Sequence, residues 1–100
     1  MIYVVISNEA QFDLDEAVNW YEHKQSGLGL RFLSNVESTV NYIRKNPLAS
    51  PVIYSKIRVC IVKSFPFTIH YKYYEEEKII FVSGVFHMAL NPKAWTKRNQ

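Results

Sequence analysis

The segment FTIHYKYYEEEKIIFVSGVF, residues 67–86, decides the fold of this 100-residue chain. Its first eight residues alternate between two faces, the period of a strand, and one face carries Phe67, Ile69, Tyr71 and Tyr73. The run KIIFVSGVF that follows is apolar on both faces, which indicates a more central strand. Between the two runs lie the glutamates at 75–77, a charged tip that predicts a hairpin.

The residues before this hairpin, VIYSKIRVCIVKS, predict a further strand, with a short strand at VIY. The alternation places Arg58 on an exposed face and puts three apolar residues on the other face, which we expect to be buried: Ile57, Val59 and Ile61. Cys60 lies in the same apolar strand, so we expect an inert, buried thiol. Because it is the single cysteine, an internal disulfide is excluded.

The first half of the chain predicts one strand and two helices. The β-branched run IYVVI, residues 2–6, is typical of a strand. A helix is expected to start at Asn8, whose side chain can accept hydrogen bonds from free backbone amides. A second helix runs from about Leu28 to Lys45 and ends before Asn46-Pro47. The short connection QSGLG between them predicts an antiparallel helix hairpin.

Together these elements predict a single α+β domain that spans residues 1–100. The order is one strand, two helices and then three or four strands, with the helix hairpin packed on one face of a mostly antiparallel sheet. A chain of 100 residues with 48% hydrophobic residues fits one core. No apolar run is long enough to span a bilayer and no basic leader precedes the first strand, so we expect a cytoplasmic protein with no membrane partner.

The two halves of the chain differ in charge. Residues 1–50 hold four Lys or Arg against six Asp or Glu, a net charge of −2, whereas residues 51–100 hold eight against three, a net charge of +5. A basic half of this kind attracts an anionic partner, either nucleic acid or an acidic protein segment, at long range. The alternative is a solvated surface whose charge only keeps the protein soluble.

Four motifs in a fixed order carry a likeness to a known family: DLDEAVNWYE, GLGLRFLSNVESTVNYIRKNP, IRVCIVKSFPFTIHY and VFHMALNPKAWTKR. From Ile2 to Arg98 the chain resembles the RelE/ParE family of bacterial toxins, the toxic halves of type II toxin–antitoxin modules, often called plasmid-stabilisation proteins. The resemblance implies a β-α-α-β-β-β fold, growth inhibition and a cognate antitoxin bound in a hetero-oligomer. RelE-like members cleave messenger RNA on the ribosome, whereas ParE-like members poison DNA gyrase.

Two residues stand where the resemblance implies arginine. Thr68 occupies one position, in the strand FTIHY, and Leu90 occupies the other, in the tail motif between His87 and Pro92. Metal-independent RNA cleavage needs cations that stabilise the negative charge that builds on the phosphate. Each of these two residues removes a cation that the resemblance implies. They favour a ParE-like toxin that binds gyrase over a ribosome-dependent messenger RNA endoribonuclease. A decayed toxin that only binds antitoxin is the third hypothesis.

The candidate catalytic residues, if the chain is a metal-independent endoribonuclease, are Arg58, His70 and His87. A histidine can act as acid or base because its ordinary pKa lies near neutral pH. The alternative for each histidine is a hydrogen-bonded structural role. For Arg58 the alternative is a plain exposed side chain or an ion pair.

The candidate residues for contact with the target or the antitoxin are six cations and one tryptophan: Lys56, Lys63, Lys72, Lys93, Trp95, Lys97 and Arg98. Trp95 can stack on a partner, or it can pack the tail onto the domain. The strand at residues 2–6 or the short VIY strand can present a free edge to an acidic antitoxin segment that folds on binding. Histidines and carboxylates lack ligand spacing, so we expect no metal site and no cofactor.

Overall fold

The hairpin at residues 67–86 forms the centre of the sheet. The computed structural model describes residues 1–99 and contains, in chain order, β1 (Tyr3–Ile6), α1 (Asn8–Lys24), α2 (Leu28–Lys45), β2 (Val52–Tyr54), β3 (Ile57–Ile61), β4 (Phe67–Tyr74), β5 (Ile79–His87) and α3 (Pro92–Arg98). The strands form one five-stranded sheet in the order β1-β5-β4-β3-β2. β1 pairs with β5 in parallel, and the other pairs are antiparallel. The predicted α+β fold is confirmed.

A bulge in the central hairpin explains why β5 is apolar on both faces. Between the pairs His70–Gly84 and Tyr71–Val82, Ser83 is an extra residue in β5. The extra residue switches the alternation of the strand. Residues on both sides of the bulge therefore contribute to the same core: Ile80, Val82 and Val85.

The helix hairpin packs on one face of the sheet and builds the core there. Phe32 of α2 is fully buried, and its ring centroid lies 4.9 Å from that of Phe67 in β4 and 5.1 Å from that of Tyr21 in α1. The helices approach closely at Gly29, where a Cβ atom would lie 2.5 Å from the Val18 carbonyl oxygen. An aromatic cluster thus joins both helices to the central strand.

The prediction of a buried face in β3 is right for Ile57, which is buried, and wrong for Ile61. Ile61 is 63% exposed, whereas Val62, directly after the strand, is buried against the helices. Cys60 is half-buried at the border of the same core. Arg58 lies opposite Tyr71, a core residue, and therefore on the helix side of the sheet. Alternation separates the two faces of a strand, but it does not identify the face that the helices cover when both carry apolar side chains.

The N-cap of α1 is Ser7, and the prediction of Asn8 is wrong. The Ser7 hydroxyl oxygen accepts a hydrogen bond from the Ala10 N–H over 3.0 Å. The Ser7 N–H donates to the Val82 carbonyl oxygen over 3.0 Å and so continues the pairing of β1 with β5. This bond holds Ser7 in the extended conformation, φ −64° and ψ 159°, that an N-cap adopts.

Replacing Ser7 with alanine is expected to lower the free energy of unfolding by about 1 kcal/mol, because the Ala10 N–H loses its acceptor. Replacing Asn8 with alanine is expected to change it by less than about 0.5 kcal/mol. Urea unfolding followed by tryptophan fluorescence measures both. Equal losses in the two variants would contradict the assignment of the cap to Ser7.

The sequence patterns did not predict α3. Two residues mark the start of this helix. The Asn91 side chain accepts a hydrogen bond from the Lys93 N–H over 2.9 Å, and Pro92 lies in the first turn. Its seven residues are too few to show an apolar stripe, and none of them is buried. α3 lies on the sheet face away from the helix hairpin, with the Trp95 ring 5.0 Å from that of His70. None of the helices within residues 1–99 is long and apolar enough to cross a membrane.

Candidate target-binding site

The structure distributes the predicted site residues over four places. Those beside the β2–β3 hairpin are Lys56, Arg58 and Lys72. Those on α3 are Lys93, Trp95, Lys97 and Arg98, with His70 beneath the helix. The other two stand alone: His87 ends β5, and Lys63 follows β3. Within residues 1–99, no three side chains of His, Cys, Asp or Glu converge as a metal ion requires.

The first group surrounds a concave surface, here named the basic cavity, with a volume of about 270 Å³. Besides Lys56, Arg58 and Lys72, its walls include Leu48, Val52, Tyr73 and Glu75. Three of its lining residues are basic and one is acidic, and the Lys72 ammonium lies at its margin, over the Tyr74 ring. It is therefore suited to an anionic group of a partner.

The turn between β2 and β3 has two central residues, of which Lys56 is the second. Ser55 and Lys56 both have positive φ angles, 45° and 63°. Residues other than glycine adopt this left-handed region at a cost of about 1 to 2 kcal/mol each. Two-residue hairpin turns require positive φ at both central residues, so this conformation follows from the tight connection of β2 to β3.

The other two cations of the basic cavity are positioned by their neighbours. The Arg58 guanidinium donates to the carbonyl oxygens of Leu48, over 3.2 Å, and Ser50, over 2.7 Å. The Lys72 ammonium lies 5.2 Å from the centroid of the Tyr74 ring. Arg58 is therefore also a structural residue, because it fixes the segment that follows α2.

His70 is fully buried beneath α3 within a chain of hydrogen bonds. The Tyr54 hydroxyl lies 2.8 Å from its Nδ1, and the Thr68 hydroxyl lies 2.9 Å from its Nε2. Asn99 donates to the Tyr54 oxygen over 2.9 Å, so Tyr54 can donate its own proton to Nδ1. The Nε2–H then donates to Thr68, whose hydroxyl lies 3.4 Å from the Phe86 carbonyl oxygen. This order of donors assigns the neutral imidazole with its proton on Nε2.

Burial keeps this network neutral. Burial, with a smaller contribution from the Arg98 cation, lowers the pKa of His70 to about 4. Burial also raises the pKa of Tyr54 to about 12, so the hydroxyl keeps its proton at neutral pH. A second proton on His70 would make both ring nitrogens donors and leave the Tyr54 hydroxyl proton without its acceptor. His70 is therefore uncharged and enclosed at neutral pH.

Arg58, His70 and His87 do not share a site. Arg58 lies opposite Tyr71 on the helix side of the sheet, and His70 lies on the other side. His87 is exposed at the end of β5, opposite Phe67, and its Nδ1 accepts from a backbone N–H two residues later over 2.9 Å. Tyr71 and Phe67 are separated by about 13 Å along β4. A proton donor, a proton acceptor and a cation must instead lie within hydrogen-bonding reach of one reacting bond.

Thr68 and Leu90, which stand where the resemblance implies arginine, lie in different surroundings. The Thr68 hydroxyl is the hydrogen-bond partner of His70 Nε2. Leu90 is 40% exposed and lines an apolar groove beside α1. Neither position supplies a cation.

Arg98 has a partner that the sequence does not reveal. Its guanidinium donates to both carboxylate oxygens of Asp13, from Nη2 over 3.2 Å, and lies 4.7 Å from the centroid of the Phe86 ring. Sequence reasoning also missed the two residues that join His70 to the tail, Tyr54 and Asn99. The ion pair bridges 85 positions of the chain, and no local pattern links side chains so far apart.

Comparisons with known proteins cover most of the chain. A model of the family described as "ParE toxin of type II toxin-antitoxin system, parDE" matches residues 4–92. Nine chains of solved structures match, among them "Chromosomal ParDE TA system from P. aeruginosa", with a TM-score of 0.73 and 17% identity over 87% of this chain and 96% of that chain. No curated protein matches. The structural likeness shows the fold alone, whereas the family match spans most of the sequence.

Proposed function

The chain belongs to the ParE toxin family of type II toxin–antitoxin systems, and on this premise we propose that it inhibits growth by binding DNA gyrase and that a cognate antitoxin neutralises it. The alternative, a metal-independent endoribonuclease that acts on ribosome-bound messenger RNA, needs groups that move protons at the RNA. Both activities belong in the cytoplasm, where we place the protein.

The observation that carries this proposal is the enclosure of His70. A general acid or base must touch the proton that it transfers, and it works best with a pKa near the operating pH. His70 touches Tyr54 and Thr68 instead, and its pKa is lowered to about 4. The two positions where the resemblance implies arginine, Thr68 and Leu90, also supply no cation. Inhibition by binding requires neither group.

The basic cavity supports contact with an anionic partner. Long-range attraction to Lys56, Arg58 and Lys72 would speed the encounter with an acidic surface. An acidic antitoxin segment that covered the same cations would compete with the target. On this reading the toxin and its antitoxin form a hetero-oligomer in which the basic cavity is hidden.

Expression of the chain alone in bacteria is expected to arrest growth, with messenger RNA intact and the supercoiling of a reporter plasmid altered. Changing Lys56 and Lys72 together to glutamine is expected to weaken binding to purified gyrase about tenfold, because two charges leave the basic cavity. Arg58 stays unchanged, since it also bonds the segment after α2. Surface plasmon resonance and growth curves measure the two effects.

The matched control changes Lys45 and Lys78 to glutamine, which removes the same charge from exposed positions that do not line the basic cavity. This control should bind gyrase as the wild type does. Cleaved messenger RNA without a change in supercoiling would mean that the toxin acts as a ribonuclease and not by binding gyrase. Normal growth with a folded product would instead mean a decayed toxin.

A further inference from the structure

The outer edge of β1 is open. β1 is the last strand of the sheet, and no strand within residues 1–99 pairs with the edge that faces away from β5. The Tyr3 N–H donates to the Lys78 carbonyl oxygen, so the odd-numbered residues of β1 direct their backbone groups toward β5. The N–H and C=O groups of Val4 and Ile6 therefore point outward. An edge of this kind is a template for pairing with another chain.

The β1 edge lacks the residues that protect most sheet edges from pairing. The segment IYVVIS, residues 2–7, contains neither a charged residue nor a proline. Its apolar side chains are partly exposed, with Tyr3 at 63%, Val5 at 44% and Ile6 at 40%. The opposite edge strand, β2, has only three residues, an irregular register and the cation Lys56 in the turn after it. Of the two edges of the sheet, that of β1 is therefore the one suited to another strand.

A groove of about 540 Å³ lies between the end of β1 and the two helices of the hairpin. Its apolar lining comes from Ile6, Leu14, Leu33, Val36 and Val40. Glu37 is the one charged residue that lines it, and no cation does so. A carboxylate in this place repels an acidic segment, such as that expected of an antitoxin. The groove therefore favours an uncharged apolar segment beside β1.

β1 is complementary to a second copy of itself. When two copies lie antiparallel with Val4 opposite Val4 of the partner subunit, Ile6 lies opposite Ile2 of the partner subunit. These are the residues with outward backbone groups, and such opposed residues exchange two hydrogen bonds in an antiparallel pair. Tyr3 then lies opposite Val5 of the partner subunit, on the sheet face away from the helix hairpin. An aromatic residue opposite a β-branched one stabilises neighbouring strands.

We infer that the outer edge of β1 is a self-association site, at which a second copy of this chain adds its own β1 in the antiparallel direction. The two five-stranded sheets then join into one continuous sheet. Because both copies use the same surface, the contact closes at two copies and forms a symmetric dimer. The basic cavities lie beside β2 and β3, at the two ends of the joined sheet, about 40 Å apart. The inference does not depend on the target that these cavities bind.

Amide hydrogen exchange of the toxin alone, measured over a range of protein concentrations, tests the added strand. The Val4 and Ile6 amides point outward in the monomer and should exchange at least about tenfold more slowly in the dimer. The Val5 amide, which faces β5, should exchange at the same rate at every concentration. Analytical ultracentrifugation over the same range should show a monomer that converts to a dimer. Val4 and Ile6 amides that exchange fast at every concentration would overturn the inference.

Two single-cysteine variants test the register of the paired strands. Val4→Cys and Val5→Cys are each made together with Cys60→Ser, which removes the native thiol. In the proposed pairing the two Val4 Cα atoms lie about 5.5 Å apart, within the range of about 4.4 to 6.8 Å that a disulfide spans. The two Val5 Cα atoms lie about 8 Å apart, which is too far. Mild oxidation should therefore give a covalent dimer with Val4→Cys and not with Val5→Cys, and equal or reversed yields would overturn the pairing.

Two exposed tyrosines provide a matched pair for affinity. Tyr3 lies on β1 and is 63% exposed, whereas Tyr42 lies on α2, is 49% exposed and does not line the groove beside β1. Tyr3→Ala should weaken the dimer about tenfold, because the symmetric contact loses two Tyr3–Val5 pairs, and Tyr42→Ala less than twofold. Both are surface changes, so this pair remains informative even where a cysteine variant does not fold. Equal effects would overturn the inference.

The same exchange experiment separates a second copy from another occupant of the β1 edge. A toxin that stays monomeric at every concentration, and whose Val4 and Ile6 amides become protected only when the cognate antitoxin is added, would make the antitoxin the occupant. That result would overturn self-association. It would leave the proposed binding of gyrase unaffected, because the plasmid supercoiling assay tests that binding separately.

Discussion

Replacing Phe32 with alanine is expected to lower the free energy of unfolding by about 3 to 5 kcal/mol. The Phe32 side chain is fully buried, and its ring centroid lies 4.9 to 5.1 Å from those of three other aromatic residues, Tyr21, Phe65 and Phe67. Its loss removes the ring that joins α1, α2 and β4 and leaves a cavity. Small domains are stable by about 5 to 15 kcal/mol, so the loss is a large part of the total.

Urea unfolding followed by far-ultraviolet circular dichroism measures this change. Phe12→Ala is the control, because Phe12 is also a helical phenylalanine but is 56% exposed. It should alter the free energy of unfolding by less than about 0.5 kcal/mol. A loss of under about 1 kcal/mol for Phe32→Ala would mean that this aromatic cluster is not the centre of the core.

The elements that the sequence predicted correctly are those with a strong local period. The alternation in β4 depends on residues only a few positions apart, so a single segment contains the signal. The wrong prediction in β3 arose because Ile61 and Val62 are both apolar and only the packing of the helices decides which is buried. The N-cap was misplaced by one residue, because pairing of Ser7 with β5 decides where α1 begins.

The candidate site depends more on contacts between distant residues. The cations of the basic cavity could be named from composition and from the family resemblance, but their convergence depends on how β2, β3 and β4 pair. The hydrogen bond of Tyr54 with His70 and the ion pair of Asp13 with Arg98 join segments that share no sequence pattern. His70 is therefore a residue type that often acts in catalysis, but its surroundings are those of a buried structural residue.

α3 links these two features of the site. It covers His70 with Trp95, and its Arg98 pairs with Asp13 of α1. Undocking of α3 would remove the Trp95 ring from His70 and break the Arg98–Asp13 pair in the same step. The charge state of His70 is consequently a sensitive measure of whether α3 is docked.

Acidification is expected to destabilise the fold through His70 by about 3 kcal/mol. The pKa of His70 is lowered from 6.5 to about 4 in the folded protein, mainly by burial. Between these two pH values the unfolded chain binds more protons than the folded chain, so the free energy of unfolding falls as the pH falls. The loss of stability begins as the pH drops through 6.5, the pKa of His70 in the unfolded chain. It is complete below about 4, the pKa of His70 in the folded protein.

Urea unfolding of the wild type and of His70→Gln between about pH 7 and pH 4 isolates this effect. Glutamine can donate and accept hydrogen bonds but does not titrate, so the variant should lose about 3 kcal/mol less than the wild type over this range. If the free energy of unfolding changed equally with pH in the wild type and in His70→Gln, His70 would take up its proton in the folded protein at an ordinary pKa. That result would leave an imidazole able to transfer protons beneath α3, and it would remove the main reason to prefer gyrase binding over RNA cleavage.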